Sequence, residues 1–351
     1  MLFGRQGVGS DYERLIVVQR PAVGLRAIVA VHSTRRGPAF GGIRRRRYDH
    51  EAAALDDALA LAEAMSHKCA LAGLAAGGAK TVVLMSESPP KPSVEWSRAY
   101  EALGEEIAAL RGDYVCGPDV GTGPAQLRAV RRVCSHVNPE GNDAGASTAA
   151  GVHAGLRAIW RALDFAPGQP RTVAIQGLGA VGEALARALR AQGVRVIGAD
   201  LDPRACRAAA QHGVEIVEPD ALPEQACDVL VPCAMGGGLD EATIDRLRCR
   251  AVCGSANNQL ATPADTRRLH ARGIVHAPDI VVSAGAVIEG VLTVREGTGA
   301  AVRTRVAEAI EAIEATLGEV LAEAARCGRP PTEVARSMAA ARLGATPSSD
   351  R

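Results

Sequence analysis

The chain has 351 residues, 47% of them hydrophobic, and a formal net charge of +1. That length suits two domains with substantial cores, and the near-zero charge provides no global field to draw nucleic acid or an anionic membrane. Its nine cysteines form no Cys-x-x-Cys pair, which points away from a disulfide framework or a zinc site and toward a reducing compartment, with no metal expected.

At the N-terminus, Met-Leu-Phe-Gly-Arg-Gln lacks a long apolar run, so a cytoplasmic protein with no signal peptide or membrane span is expected. Residues 25–32 read as a strand rich in β-branched side chains, and 43–48 as a second. Asp49 is placed to cap a helix beginning near Glu51. On that helix Leu55, Leu59 and Ala62 share one face, and Leu61, Met65 and Lys68 a neighbouring one. Arg44 to Arg47, with Arg35 and Arg36, raise the possibility of a nucleic-acid patch. Side chains alternate along a strand and stacking aromatics are absent, so for the arginines other than Arg44 a solvated face or a subunit contact is expected instead.

Lys68 and Lys80 flank a glycine-rich run containing Gly73, Gly77 and Gly78. A lysine beside a tight glycine turn, with a second cation nearby, is desolvated and repelled. Both effects favour the neutral amine, a base near neutral pH. The other lysine, still charged, holds a carboxylate, so the pair suits an enzyme acting on a small acid. A strand at 81–85 leaves the turn, and 93–110 reads as a helix with an apolar stripe. The turn formers at 138–147 mark an interdomain hinge, followed by a helix at 148–163. Strands are expected at 172–176, 194–199, 214–217, 228–232, 251–253 and 280–282. Helical segments separate them, the pattern of a parallel doubly wound α/β sheet. Residues 300–325 and 331–343 read as helices and 347–351 as a frayed tail.

The first of those strands runs directly into Gly177-Leu178-Gly179-Ala180-Val181-Gly182. The first glycine permits the turn, the second admits a pyrophosphate to the backbone, and the third lets the following helix pack closely. The helix N-terminus then faces the phosphates. Asp200 ends the next strand, where an acid accepts hydrogen bonds from ribose hydroxyls and repels a 2′-phosphate, favouring NAD over NADP. Arg204 lies nearby in sequence. The alternative, a glycine turn with Asp200 as a helix cap, accounts for fewer of these coinciding elements.

These segments carry a resemblance. Gly37-Pro38-Ala39-Phe40-Gly41-Gly42-Ile43-Arg44, the stretch from Met65 to Lys80, Asp119-Val120-Gly121-Thr122, the glycine fingerprint, 232–237, 254–260 and Ala277-Pro278-Asp279 together resemble the Glu/Leu/Phe/Val dehydrogenase family. The pattern is nearest to the leucine, valine and phenylalanine dehydrogenases, with tryptophan dehydrogenases also similar. The resemblance implies NAD-dependent oxidative deamination of an L-amino acid, reversible as reductive amination of a 2-oxo acid with ammonia. It implies that Lys68 binds the substrate carboxylate, Lys80 activates water, and Asp119 exchanges protons with the substrate nitrogen. Phe40, Gly41, Gly42 and Met65 would approach the substrate, and Val287 its side chain. Thr148, Cys233, Ala234 and Asn258 would lie on the cofactor side, and a homo-oligomer, dimer to octamer, is implied. Taken singly, Lys80 reads equally as a surface lysine and Asp119 as a turn residue after Pro118. Their joint occurrence with Lys68 and the fingerprint favours a site.

The chain departs from the family pattern at Ala79, where a third glycine is usual, at His67 and Cys69 beside Lys68, at Pro118, and at Ser283, where asparagine is usual. A positive φ at position 79 would strain an alanine. Two readings follow: a dehydrogenase for an apolar or atypical side chain, or a diverged homologue acting as another NAD(P)-linked reductase or a cofactor-binding protein. Retention of the acid–base side chains favours the first. The expected organisation is an α/β substrate domain at 1–142, a Rossmann-type domain at 143–325 and a C-terminal helix at 326–351 returning to the first domain, with the site in the cleft between domains.

Overall fold

Apolar β-branched runs assemble into a mixed five-stranded sheet in the computed structural model, which describes residues 12–85, 96–166, 168–234 and 236–344. Strands β1 (Arg14–Arg20), β2 (Leu25–Ser33), β3 (Ala39–Arg46), β4 (Gly77–Leu84) and β5 (Tyr114–Gly117) lie in the order β1-β2-β4-β3-β5. β2 is antiparallel to β1 and β4, and β3 is parallel to β4 and β5. Helix α1 (Glu51–Leu71) covers one face, packing Ala54, Ala58, Leu59 and Ala62 against Ile28, Ala30 and Val82. Helices α2 (Trp96–Ala108) and α3 (Pro124–Arg131) cover the other, where Leu103, Ile107 and Leu127 join Val29, Ile43, Ala79 and Val83. Alternation along β4 therefore sends Ala79 and Val83 into the α2–α3 core and Lys80 and Val82 toward α1.

Several elements differ from the sequence reading. The glycine run is not a turn before β4 but its opening: Gly77 and Gly78 are ladder residues, and the chain turns earlier at Gly73, with φ +69°. The ring of His50, not Asp49, caps α1, its Nδ1 accepting from the Ala53 amide at 3.0 Å. The short strand β5 and the sheet-edge strand β1 carried too little alternation to be anticipated. The predicted start of α2 at 93 and the tail at 347–351 lie outside the described residues.

The rest of the chain begins with α4 (Ala144–Ala162), capped by the Asp143 carboxylate, which accepts from the Ala146 amide at 2.9 Å; the end of the expected hinge is thus helical. Then follow β6 (Thr172–Gln176), α5 (Ala180–Ala191), β7 (Arg195–Ala199), α6 (Pro203–Gln211), β8 (Glu215–Ile216), β9 (Val229–Pro232), α7 (Glu241–Arg246), β10 (Ala251–Val252), α8 (Ala264–Ala271), β11 (Val275–His276) and α9 (Asp279–Val282). The strands form a parallel sheet ordered β11-β10-β9-β6-β7-β8, the doubly wound order of a dinucleotide-binding fold. Residues 280–282, read as a strand, are helical instead. Pro278 opens that turn, and the Ser283 amide and hydroxyl both donate to the Asp279 carbonyl, at 3.0 and 2.7 Å. Four helices complete the chain: α10 (Gly285–Glu296), α11 (Ala300–Glu311), α12 (Ile313–Cys327) and α13 (Pro331–Gly344).

The chain divides into two units. One comprises Met1–Asn142, Gly290–Val302 and Ala339–Arg351, and the other Asp143–Glu289 and Arg303–Met338. The linear division at 142 and 325 misses the return of 290–302 to the first unit, and residues 326–338 stay with the second.

Candidate active site

Lys80 projects from β4 on the α1 side and is buried, its Nζ 2.6 Å from Asp119 Oδ2. Asp119 follows β5 in a tight turn closed by the Thr122 amide on the Asp119 carbonyl at 2.9 Å, with Gly121 at φ +74°. Gly42 of β3 makes room for Asp119, and Gly41 for the close approach of the β4 backbone. A Cβ on Gly42 would lie 2.5 Å from the Pro118 carbonyl oxygen and 2.8 Å from Asp119 Cβ, and one on Gly41 would lie 1.7 Å from the Ala79 carbonyl oxygen. Asp119 thus sits directly over the β3 backbone, and Phe40 is buried in the same strand.

Burial alone would push the Asp119 carboxyl upward. The charges of Lys80 and Arg44, with hydrogen bonds from Lys80 and the Val120 amide, outweigh it and hold the group well below the usual carboxylate range. Lys68 is buried near the end of α1, one turn beyond the half-buried Met65. Of the residues around it, Cys69 is enclosed with its Sγ 3.3 Å from the Gly77 carbonyl, and burial pushes its thiol up to about 12. His67 is buried too, its ring edge-on to His32, whose Nδ1 contacts Ser66 Oγ at 2.8 Å. Ala79 is not strained: it lies in β4, and the non-glycine residues of positive φ among those described are Arg111, Asp164 and Asn258.

The arginine run divides: Arg35 and Arg47 are exposed, and Arg36, Arg45 and Arg46 are half-buried. Arg44 is buried, donating from Nε to Asp119 Oδ2 at 3.0 Å and from Nη1 to both Asp57 oxygens at 3.3 and 3.2 Å. Arg45 stacks on Trp96 at 4.4 Å and Arg46 on Tyr48 at 5.0 Å. Sequence reasoning assigned no role to Arg44 and overlooked Asp57. The available signal was helical spacing, since Asp57 extends the Leu61–Met65–Lys68 stripe by one turn and places a carboxylate on a face otherwise meant for burial.

In the second unit the fingerprint lies where the strand order reverses, between β6 and β9, the crevice in which doubly wound sheets bind ligands. Gly177 has φ +93° and backs onto Ala234 and Cys233, and the Cys233 amide donates to the Gln176 carbonyl at 2.7 Å. Gly182 presses on Gly177, where a Cβ would lie 1.9 Å from its carbonyl oxygen, whereas a Cβ on Gly179 would meet no atom within 4 Å. Gly179 is the N-cap of α5 with no side-chain cap bond to the first amides of that helix, and Ala180 and Val181 follow at its first turn. Leu178 is buried, and its amide donates to Asp200 Oδ2 at 2.6 Å, tying the acid to the loop. An anionic pyrophosphate fits the uncapped amides of α5, and a ribose fits the remaining acceptor capacity of Asp200. Thr148 lies on α4 against Gly285, Val287 is buried on α10, and Asn258 adopts φ +51° with its amide on Asp279 Oδ2 at 2.8 Å. Ser283 is engaged within its own helix turn.

Among the described residues no group of three or more His, Cys, Asp or Glu is arranged to hold a metal ion, and no helix is long and apolar enough to cross a membrane. The nine cysteines are free.

Residues 13–136 match the family described as Glu/Leu/Phe/Val dehydrogenase, dimerisation domain, and residues 202–344 match Glutamate/Leucine/Phenylalanine/Valine dehydrogenase. Residues 155–243 also match the NAD binding domain of D-isomer specific 2-hydroxyacid dehydrogenases. The chain is 36% identical to leucine dehydrogenase of Thermoactinomyces intermedius, covering 95% of this chain and 91% of the relative. It is 39% identical to valine dehydrogenase of Streptomyces albus, covering 95% and 92%. Its fold is similar to the crystal structure of L-tryptophan dehydrogenase from Nostoc punctiforme, with a TM-score of 0.79, 29% identity, and 95% and 96% of the two chains covered.

Proposed function

Because the chain belongs to the Glu/Leu/Phe/Val dehydrogenase family, we propose that its Lys68, Lys80 and Asp119 carry out the oxidative deamination of an L-amino acid with an apolar or atypical side chain. The protein is an amino acid dehydrogenase, an oxidoreductase acting on CH–NH2 groups, with NAD as cofactor. The observation that carries the residue assignment is the buried contact of Lys80 with Asp119, seated over the side-chain-free backbone of Gly42.

NAD, when held at the glycine fingerprint, would supply the hydride acceptor for the substrate Cα. The chain's own groups supply the rest. Lys68, buried on α1, holds the substrate carboxylate by charge. Asp119, kept ionised, accepts a proton from the substrate nitrogen. Lys80, as the neutral amine, takes a proton from the water that attacks the iminium carbon; Asp119 returns its proton to the nitrogen of the resulting carbinolamine, and ammonia leaves as the carbinol hydroxyl gives its proton to solvent and the 2-oxo acid forms. Phe40 and Met65 are the apolar side chains of the first unit assigned to the substrate, and Val287 is the one assigned in the second. Gly177 to Gly182 and Asp200 hold the dinucleotide, with Thr148, Cys233, Ala234 and Asn258 on the cofactor side. Self-association through the first unit fits the described dimerisation domain and the exposed Val17 on the sheet-edge strand β1.

Purified protein with NADH, ammonium and a panel of 2-oxo acids tests the reading. Turnover is expected with one or more apolar 2-oxo acids, and no NADH oxidation with any of them would overturn it. Lys80→Ala is expected to cut kcat by roughly a hundredfold or more while NAD affinity stays near that of the wild type. Loss of NAD binding instead would remove Lys80 from its assigned role.

A further inference from the structure

Arg44 is a buried cation with no part in the scheme above. It lies two residues beyond Gly42 on β3, so both positions face α1. Its guanidinium spans two carboxylates: Nε reaches Asp119 Oδ2 at 3.0 Å, and Nη1 reaches both oxygens of Asp57 on α1. Asp57 is in turn fixed by the Tyr48 hydroxyl, which donates to Oδ2 at 2.5 Å. Asp119 Oδ2 therefore receives two cations, Lys80 and Arg44. They are not equivalent, because a lysine gives up its proton in catalysis and an arginine does not. When Lys80 passes a proton to or from water, Arg44 still holds the same oxygen.

We propose that Arg44 is a positioning residue for the deamination: it grips Asp119 by Oδ2, presents Oδ1 to the substrate nitrogen, and is itself held and partly neutralised by Asp57. The inference rests on the reading of Lys80 and Asp119 as the acid–base pair. The other groups bearing on the cluster are Tyr114 on β5, which burial keeps protonated, and Tyr48, which burial and Asp57 keep protonated beside Arg46. Lys80, Arg44, Asp119 and Asp57 together sum to zero formal charge, so removing either outer member changes the field at Lys80 and Asp119 in opposite directions.

The test is the pH dependence of kcat/KM for Arg44→Met, Arg44→Lys and Asp57→Asn in the full-length enzyme, with NAD binding confirming the folded state. Arg44→Met is expected to lower kcat about tenfold or more with little change in KM. It should displace the acid limb upward by about one pH unit, because proton affinity rises when a cation leaves. Asp57→Asn should displace that limb downward. Arg44→Lys should restore the limb's position but not the full kcat, since an ammonium cannot bridge two carboxylates with fixed geometry. If Arg44→Met does not fold, the other two variants decide the matter. Limbs that stay in place, or that move the same way in Arg44→Met and Asp57→Asn, would overturn the proposal. Retained turnover in Lys80→Ala and Asp119→Asn would instead sink the acid–base reading on which it rests.

Discussion

Gly41 and Gly179 show how differently two glycines of one motif-rich chain are constrained. A side chain at Gly41 would meet the Ala79 carbonyl oxygen at 1.7 Å, a contact between two paired strands that neither backbone can relieve. Gly41→Ala is expected to cost more than about 4 kcal/mol or to abolish folding, as thermal denaturation would show. Gly179→Ala meets no atom within 4 Å. It should leave the melting temperature within a few degrees of wild type while lowering NAD affinity about tenfold or more, because the second glycine admits the pyrophosphate. Unchanged affinity in a titration would remove Gly179 from the phosphate site. Ala79 teaches the converse: a third glycine is usual there and a positive φ would have strained an alanine, yet the position is an extended ladder residue whose methyl group joins the Val29–Ile43–Val83 core.

At the scale of elements, β11 and α13 meet at one buried histidine. Gln259 Nε2 donates to the Gly254 carbonyl at 2.7 Å, which leaves its Oε1 to accept from His276 Nε2, and His276 Nδ1 accepts from the Thr332 hydroxyl at 2.9 Å. Burial lowers this imidazole from 6.5 to about 4, against an opposing pull from Asp279. The folded state therefore resists protonation that the unfolded chain accepts. Stability should be full above about pH 6.5, fall as pH drops toward 4, and lose roughly 3 kcal/mol across that window. Urea denaturation between pH 7 and 4 would measure it, and His276→Gln should flatten the dependence; an unchanged slope in that variant would assign the acid sensitivity elsewhere. The segment Asp279–Val282 illustrates the limit of local patterns. Ile280, Val281 and Val282 favour a strand by propensity, but the proline before them and the inward bonds of Ser283 close a helical turn.

Within the whole molecule, contacts between residues hundreds of positions apart fix the segment that carries both lysines. Arg342 Nη1 donates to the Leu71 carbonyl at the end of α1 at 2.8 Å, and Arg36 Nη1 donates to the Arg342 carbonyl at 2.9 Å. A guanidinium at the negative end of a helix is favourable both as a cap and by charge. Arg342→Ala should lower stability by about 1–2 kcal/mol, read by denaturant titration. No change in the denaturation midpoint would mean that the contact contributes nothing.

The sequence by itself determined the parallel doubly wound sheet and its glycine fingerprint, and marked Lys68 and Lys80 as candidates. Each rests on short-range regularities: apolar runs of fixed period, glycines at fixed spacing, and residue types chosen for their chemistry. Only the tertiary structure decided that Gly77 and Gly78 are strand residues, that 290–302 and 339–351 belong with the first unit, and that Arg44 joins Asp119 to Asp57. Those outcomes depend on which backbones approach within a few ångströms and which charges meet after burial. Such distances arise from packing between segments remote in sequence, and no local period encodes them.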